Sequence, residues 1–272
     1  MPVDRSFLEK KADFVRRETL KIHKRAPETR LASSLSAVEI LVVLYYGGFI
    51  KIDPSHFRSE ERDRLIVSKA HGSVSLFPIL ADLGFFDEAE LERVCRPGAL
   101  LGSIPDPSVP GYETINGSLG HGLGVGCGMA LGLKKKGKGN SVFVLLGDGE
   151  LYEGAVWEAV MFAPQFHLDN LTAIVDANRT SMLDRCSHII DLEPLEEKFR
   201  TFGWETAVID GHNVEELHET FSRFKERTAG RPKVVVAGTI KGKGVPRLER
   251  DPLSHIRNLS PREIDALLAD SL

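Results

Sequence analysis

One carboxylate sits between two glycines at the end of an apolar run. In "VFVLLGDGELYEG", Asp148 lies between Gly147 and Gly149, directly after Val142–Leu146. About thirty residues on, a second apolar run, "LTAIVDANRTSM", ends in an oxygen-rich stretch of Asp176, Asn178 and Thr180. A carboxylate, an amide oxygen and a main-chain carbonyl are hard donors of the kind Mg²⁺ or Ca²⁺ takes. So small a protein donor set leaves coordination positions for phosphate oxygens and water. The glycines let a ligand come close to the backbone. No GxxxxGK[ST] run is present, so this is not a Walker phosphate loop. A bare GDG is an ordinary turn in most chains. Here an acidic helical segment and an N-x-T loop follow it at a spacing that lets the donors meet.

They meet only if the two runs are neighbouring parallel strands. In open parallel sheets, ligands bind beyond the carboxyl ends of the strands, and a strand–helix–strand crossover often makes its two strands neighbours. Apolar β-branched runs predict strands at Leu65–Val67, Val142–Leu146, Leu171–Val175, Thr206–Ile209 and Val234–Ala237. Helical patterns fall at Ser6–Ile22, Ser36–Tyr46, Ser73–Leu83, Leu119–Leu133, Leu151–Phe166, Leu195–Phe202, Val214–Arg227 and Pro261–Leu268. This alternation predicts an α/β fold, a parallel sheet with helices on both faces. The Pro-rich stretch "RPGALLGSIPDPSVPGY", Arg96–Tyr112, is a loop of a length that is usually functional.

Composition narrows the classes. The chain has 272 residues, 42% of them hydrophobic, enough for a full core. A net charge of -4 argues against nucleic acid or an anionic membrane as partner. No N-terminal apolar signal or bilayer-length apolar run is present. Cys95, Cys127 and Cys186 form no CxxC pair and read as free thiols of a cytoplasmic protein.

The stretch "GDGELYEGAVWEAVMFAPQFHLDNLTAIVDANRTSM" resembles the thiamine diphosphate motif, GDG followed by Asn. With "SSLSAVEILVVLYYGG", "SKAHGS", "PGYETINGSLGHGLGVGCGMALGL" and "GTIKGKGV", in that order, the chain is similar to the N-terminal, diphosphate-binding half of transketolase from about Ser6 to Leu268. The resemblance implies a single diphosphate-binding domain over 1–272. It implies that Asp148, the Asn178 side chain and the Thr180 carbonyl ligate Mg²⁺ or Ca²⁺. Gly147 and Gly149 would approach the diphosphate of thiamine diphosphate. Gly117 and Leu119 would touch the aminopyrimidine and the middle of the cofactor, and Met182 the thiazolium side. His71 would face the diphosphate and the substrate channel, and His255 the mouth of the channel to the thiazolium. Glu153 and Glu158 match an acidic cluster where two subunits meet in the family. The resemblance thus gives catalytic roles to His71, His255, Glu153 and Glu158.

Plainer readings stand beside these. Met182 alone is a packing residue, and His71 alone a satisfied structural histidine. Lys241 and Lys243 form either a solvated turn or a loop over the site. On a helix, Glu153 and Glu158 would lie about 140° apart, so they form no single face and could be solvated charge. Gly120, Gly124 and Gly128 recur once per turn and would let another helix pack close, as in a tight subunit core.

Two positions depart from the family. Aligning "SSLSA" sets Arg30 on a substrate-contacting histidine, and aligning back from "PGYETINGSLG" sets Ile104 on another. Arg30 offers a planar cation suited to carboxylate, phosphate or sulfonate. Ile104 removes a hydrogen-bonding group. A small-molecule substrate other than the usual ketose phosphate pair is therefore expected. The family also carries a pyrimidine-binding and a C-terminal domain. The resemblance implies that these, with the glutamate that activates the cofactor, come from a transketolase C-terminal subunit, in a dimer or α2β2 heterotetramer. Three readings follow: a two-component transketolase, a chain delivering a two-carbon unit to a lipoyl or carrier-protein thiol, and a non-catalytic scaffold.

Overall fold

The computed structural model describes residues 4–226 and 230–270. Five strands pair in parallel: β1 (Arg64–Val67), β2 (Val142–Gly147), β3 (Leu171–Ala177), β4 (Glu205–Asp210) and β5 (Lys233–Gly238). Their order is β1-β2-β3-β5-β4. Each predicted strand falls within an observed one. The helices before β2 are α1 (Arg5–Arg25), α2 (Leu31–Leu35), α3 (Val38–Tyr46), α4 (Leu76–Asp82) and α5 (Gly122–Lys135). Between β2 and β4 come α6 (Gly154–Gln165), α7 (Cys186–Ile189) and α8 (Leu195–Thr201). The last are α9 (Val214–Glu226), α10 (Pro246–Arg250) and α11 (Pro261–Ala269).

Side chains alternate across a strand, so a doubly covered sheet feeds two cores. Leu65, Val67, Phe143, Leu145, Ile174 and Val235 join α1, α3, α4 and α9 in one cluster. Ile66, Val144, Leu146, Ala173, Val175 and Val234 join α5, α6 and α8 in the other. Both central strands, β2 and β3, are buried along their whole length. The β2–β3 register sets Gly147 beside Asp176. Two adjacent strand ends therefore deliver both oxygen-bearing segments to one edge.

Several element boundaries differ from the sequence pattern, each for a local reason. The predicted helix Ser36–Tyr46 is α3, which starts two residues later at Val38, and a separate short helix, α2, precedes it over Leu31–Leu35. The one predicted at Ser73–Leu83 begins as a 3-10 turn over Ala70–Ser75 before α4. Gly120 has φ of 87°, outside the helical region, so α5 starts at Gly122 and the glycine ridge lacks its first member. Asp148–Tyr152 is a 3-10 turn and α6 starts at Gly154. Glu153 is its extended N-cap, so the helical angle to Glu158 does not apply. Asp176 lies inside β3 and is buried, not in the loop after it. The predicted helix end at Arg227 lies outside the described residues.

Two glycines of α5 serve opposite purposes. A Cβ on Gly126 would stand 2.5 Å from Val144 Cγ2, so this glycine sets how close α5 lies to β2. A Cβ on Gly128 would meet nothing within 4 Å. Gly126→Ala should therefore destabilise the isolated chain by about 1–3 kcal/mol through overpacking against a stiff valine. Gly128→Ala should stabilise it by about 0.5–1 kcal/mol through helix propensity. Chemical denaturation of both variants checks the sign; equal signs would refute the assignment of the two faces.

Candidate functional site

Asp148 leaves β2 straight into a 3-10 turn and is only 8% exposed. Its Oδ1 accepts from the Gly149 N–H at 2.7 Å, and its Oδ2 from the Arg179 N–H. Asn178 follows β3, and its Oδ1 accepts from the Thr180 N–H at 3.1 Å. Between them, Arg179 adopts φ of 59°, a left-handed conformation rare outside glycine. Such backbone persists where surrounding contacts over-determine it, here the bonds of the Arg179 and Thr180 N–H groups. Burial and the negative charge of Asp176 push the Asp148 carboxyl up to about 6, against its two main-chain hydrogen bonds.

A second acid of the same turn is structural. Glu150 is buried, and its Oε1 accepts from Ser68 Oγ and from the Gly120 N–H at 2.9 Å. Its Oε2 accepts from the Gly147 N–H at 3.2 Å. One carboxylate thus ties the ends of β1 and β2 to the turn that carries Gly117 and Leu119. Burial raises its carboxyl even so. The Gly147 N–H is committed to this bond, so its value to a ligand is the absent Cβ.

The cationic side of the site is built around Lys69 and Asp176, 1% and 0% exposed and ion-paired. Lys69 Nζ also donates to the Ser33 carbonyl at 2.9 Å and to Ser36 Oγ at 3.1 Å. Asp176 further accepts from the hydroxyls of Ser36 and Thr239. Burial penalises that carboxylate, but the Lys69 charge and these hydrogen bonds outweigh it and lower its pKa. Lys241 is buried as well and donates to the carbonyls of Thr180, at 2.7 Å, and Ser181, at 3.2 Å. Burial and the nearby Lys69 charge bring its ammonium down to about 8. So Lys241 belongs to the site and is not part of a solvated turn.

His71 and His255 stand with ring centroids 4.9 Å apart. Burial and the Lys69 charge bring His71 down to about 2. Burial, then the charges of Lys241 and Arg30, bring His255 to about 4. Both rings are neutral at pH 7. His255 Nδ1 also lies 3.3 Å from Ser33 Oγ.

These groups line one cleft of about 390 Å³ at the carboxyl ends of the strands. Gly117, Leu119, Gly147, Asp148 and Gly149 are on its wall with Asn178 and Thr180. So are His71, His255, Ile104 and Met182. Met182 is half exposed at the rim and is not a core packing residue. The sequence-predicted Arg30 does not line the cleft: it is the exposed N-cap of α2 and reaches the site only through its field at His255. Glu153 and Glu158 are exposed and lie outside the cleft, and the Cβ of Glu153 is packed against Gly120.

Sequence reasoning missed Ser33, Lys69 and Glu150. The last carried a signal, an acid three residues after Gly147, the spacing at which a side chain reaches back to the N–H that opens a turn. A cavity of about 470 Å³ opens at the other end of the sheet, but Lys134, Lys138 and Lys233 on its wall are already bonded to Asp169 or Glu61.

The residues fit a metal-bound diphosphate. The cleft offers one buried carboxylate, an amide oxygen and a carbonyl on one wall, and the Lys241 ammonium beside them. Among the described residues, no group of three or more His, Cys, Asp or Glu side chains could hold a metal. A site of one carboxylate, one amide and one carbonyl is a different kind, suited to a hard cation that keeps phosphate and water ligands. Thr180's carbonyl has two lone pairs, so the Lys241 bond does not exhaust it.

Known proteins similar to this chain fall in one family. Residues 10–270 match the family of the transketolase thiamine diphosphate binding domain. A 6-deoxy-6-sulfo-D-fructose transketolase subunit, SqwG, of Clostridium sp. (strain MSTE9) is 38% identical over 264 residues, covering 97% of this chain and 95% of that one. One of the subunits of the apulose-4-phosphate transketolase of Actinobacillus succinogenes is 35% identical over 97% of this chain and 95% of its own. The crystal structure of transketolase from Campylobacter jejuni superposes with a TM-score of 0.86 at 28% identity, over 94% of this chain and 40% of that one. The chain belongs to the transketolase family, as a relative of the N-terminal, thiamine diphosphate-binding subunits of its split members.

Proposed function

We propose that this chain is the diphosphate-binding subunit of a two-component transketolase. It would move a two-carbon ketol unit from a ketose or ketose phosphate to an aldehyde. One observation carries the reading: Asp148, Asn178 and Thr180 converge with Lys241 in one cleft, in a chain that spans nearly the whole length of split-transketolase subunits. When bound, thiamine diphosphate supplies the electron sink that cleavage and transfer of the two-carbon unit require.

The protein's own part is to hold and orient. Asp148, Asn178 and the Thr180 carbonyl would hold Mg²⁺ or Ca²⁺ against the diphosphate, with Lys241 as a second positive charge. Gly117, Gly147 and Gly149 keep the wall open for close approach, and Leu119 and Met182 give it apolar contact. His71 and His255, neutral at pH 7, can each donate at one ring nitrogen and accept at the other. They suit proton exchange with substrate hydroxyls. Ile104 keeps one wall free of hydrogen bonds.

The remaining surfaces suit assembly. The cleft is lined in part by exposed Ile104, Met182, Leu183 and Ile189. A C-terminal subunit bringing the pyrimidine-binding domain and the activating glutamate would cover them. Val125, Met161, Phe162 and Phe166 are also exposed, on α5, on α6 and just after it. With Gly124, Gly128 and the acids Glu153 and Glu158, they form a face on which two copies could meet, giving an α2β2 heterotetramer. Among the described residues, no helix is long and apolar enough to cross a membrane, and the three cysteines are free. A cytoplasmic location is in keeping with both.

Arg30 bears on the substrate. The two split relatives carry a sulfo and a phosphate group in their substrates' names. Among the described residues Arg30 has no ion-pair partner, although its field reaches His255. An anionic substituent at the mouth of the cleft would give it one.

Three outcomes test this reading. Asp148→Ala should raise the Mg²⁺ required for activity of the reconstituted complex by about 100-fold or more, with the fold intact by circular dichroism; unchanged Mg²⁺ dependence would remove Asp148 from the metal site. Arg30→Ala should raise KM for an anionic sugar about tenfold with little change in kcat, and a loss confined to kcat would rule out this uniform-binding role. Mixing the chain with a C-terminal subunit should give a larger species by light scattering. Thiamine diphosphate with Mg²⁺ at 100 times Kd should stabilise that species by about 2.7 kcal/mol. Full turnover by this chain alone would overturn the two-component model.

A further inference from the structure

The loop 239–245 carries Lys241 into the cleft, and it is gripped from behind by three residues outside the site. His212 follows β4 in the turn "DGHN", where a Cβ on Gly211 would stand 2.5 Å from Thr239 Cγ2. That close approach brings the His212 ring to the loop. Its Nε2 lies 2.8 Å from the main-chain N of Ile240, and its Nδ1 lies 2.9 Å from Glu39 Oε2. A main-chain N–H can only donate. Nε2 is therefore the acceptor, and Nδ1 carries the proton given to Glu39.

Glu39, on α3, takes its other oxygen to Arg16 of α1. Arg16 Nη1 in turn donates to the Lys243 carbonyl at 2.8 Å. All three side chains are about nine-tenths buried. Gly244, at φ of 86°, packs so closely that a Cβ there would stand 2.6 Å from Arg16 Cδ. One buried carboxylate thus connects two grips on the same loop, at Ile240 just before Lys241 and at Lys243 two residues after it. Neither grip touches the cleft, and neither His212, Glu39 nor Arg16 lines it.

We infer that His212 is a positioning residue: with Glu39 and Arg16 it fixes the 239–245 loop so that the Lys241 ammonium stays in the cleft. Without the His212 bond, the Ile240 amide loses its acceptor and the loop can lift at its front end. Lys241 then leaves the carbonyls of Thr180 and Ser181. The link to ligand binding rests on reading the cleft as the diphosphate site; the positioning itself does not.

Two measurements separate the parts. The first is hydrogen–deuterium exchange of the full chain without ligand. In His212→Ala, residues 239–245 should exchange about tenfold faster while 234–237 of β5 stay unchanged. His212→Asn, which keeps a donor for Glu39 but falls short of Ile240, should behave like His212→Ala and serves if that variant does not fold. His212→Gln, whose amide oxygen reaches the Ile240 N–H, should restore protection. Unchanged exchange in 239–245, equal acceleration throughout β5, or no rescue by glutamine would each overturn the inference. The second is calorimetric titration of thiamine diphosphate with Mg²⁺ into the complex with a C-terminal subunit. Kd should rise about tenfold in His212→Ala and recover in His212→Gln. Faster loop exchange with an unchanged Kd would overturn the link from loop to cleft. A wild-type complex that binds no thiamine diphosphate would overturn the cofactor reading, and exchange would still decide the positioning.

Discussion

The site depends on one buried ion pair, Lys69 with Asp176. Removing two charges from water costs several kcal/mol per ion, and a buried pair regains this only when further hydrogen bonds complete it. Here they do: the Ser33 carbonyl and the Ser36 hydroxyl take up Lys69, while Ser36 and Thr239 serve Asp176. The pair joins the end of β1, the interior of β3, the residues around α2 and the start of the 239–245 loop. Even Gly72 answers to it, since a Cβ there would stand 2.5 Å from Lys69 Cε. Its contribution lies less in net stability than in fixing where four segments end, and so where every cleft residue stands.

That arrangement leaves charge unbalanced inside the cleft. Asp176 is neutralised by Lys69 yet its field still raises Asp148. Lys69 in turn lowers Lys241 and both histidines. The opposed charges of Asp148 and Lys241 are each held in a less favoured state by their neighbours and by burial. The divalent cation proposed for the first and the phosphate oxygens proposed beside the second would relieve both at once.

Much of this is legible in the chain. Strands buried on both faces are written as unbroken apolar runs, which is why β2, β3 and β5 can be placed and why Asp148 and Asn178 are expected on neighbouring strand ends, whereas the edge strand β4 is only partly buried and is read from its β-branched residues alone. Helix starts are less legible, because Asp148–Tyr152 and Ala70–Ser75 follow an apolar pattern that a 3-10 turn satisfies as well as an α-helix. Asp176 reads as a loop residue because a strand interior offers few acids. Its partner Lys69 stands 107 residues away, and nothing in "SKAH" announces it. The Gly120 turn and the Glu153 cap read as helix for want of backbone angles. Arg30 illustrates the limit of alignment, since equivalence to a contact position says nothing of where a longer side chain at an exposed cap will lie.

The position of the loop carrying Lys241 shows how far such a site extends into its scaffold. Only Lys241 of that segment reaches the cleft, yet its neighbours are bonded to residues of α1 and of the turn after β4. Those in turn share Glu39 of α3, whose carboxyl is held low by His212 and Arg16 against the penalty of burial. Two buried charge clusters therefore stand on either side of the same loop. Lys69–Asp176 holds Thr239 from the cleft side, and Arg16–Glu39–His212 holds Ile240 and Lys243 from behind. A loop of glycines at 242 and 244 has little intrinsic preference to stay in one conformation. Polar groups on both sides supply the constraint that its own sequence lacks.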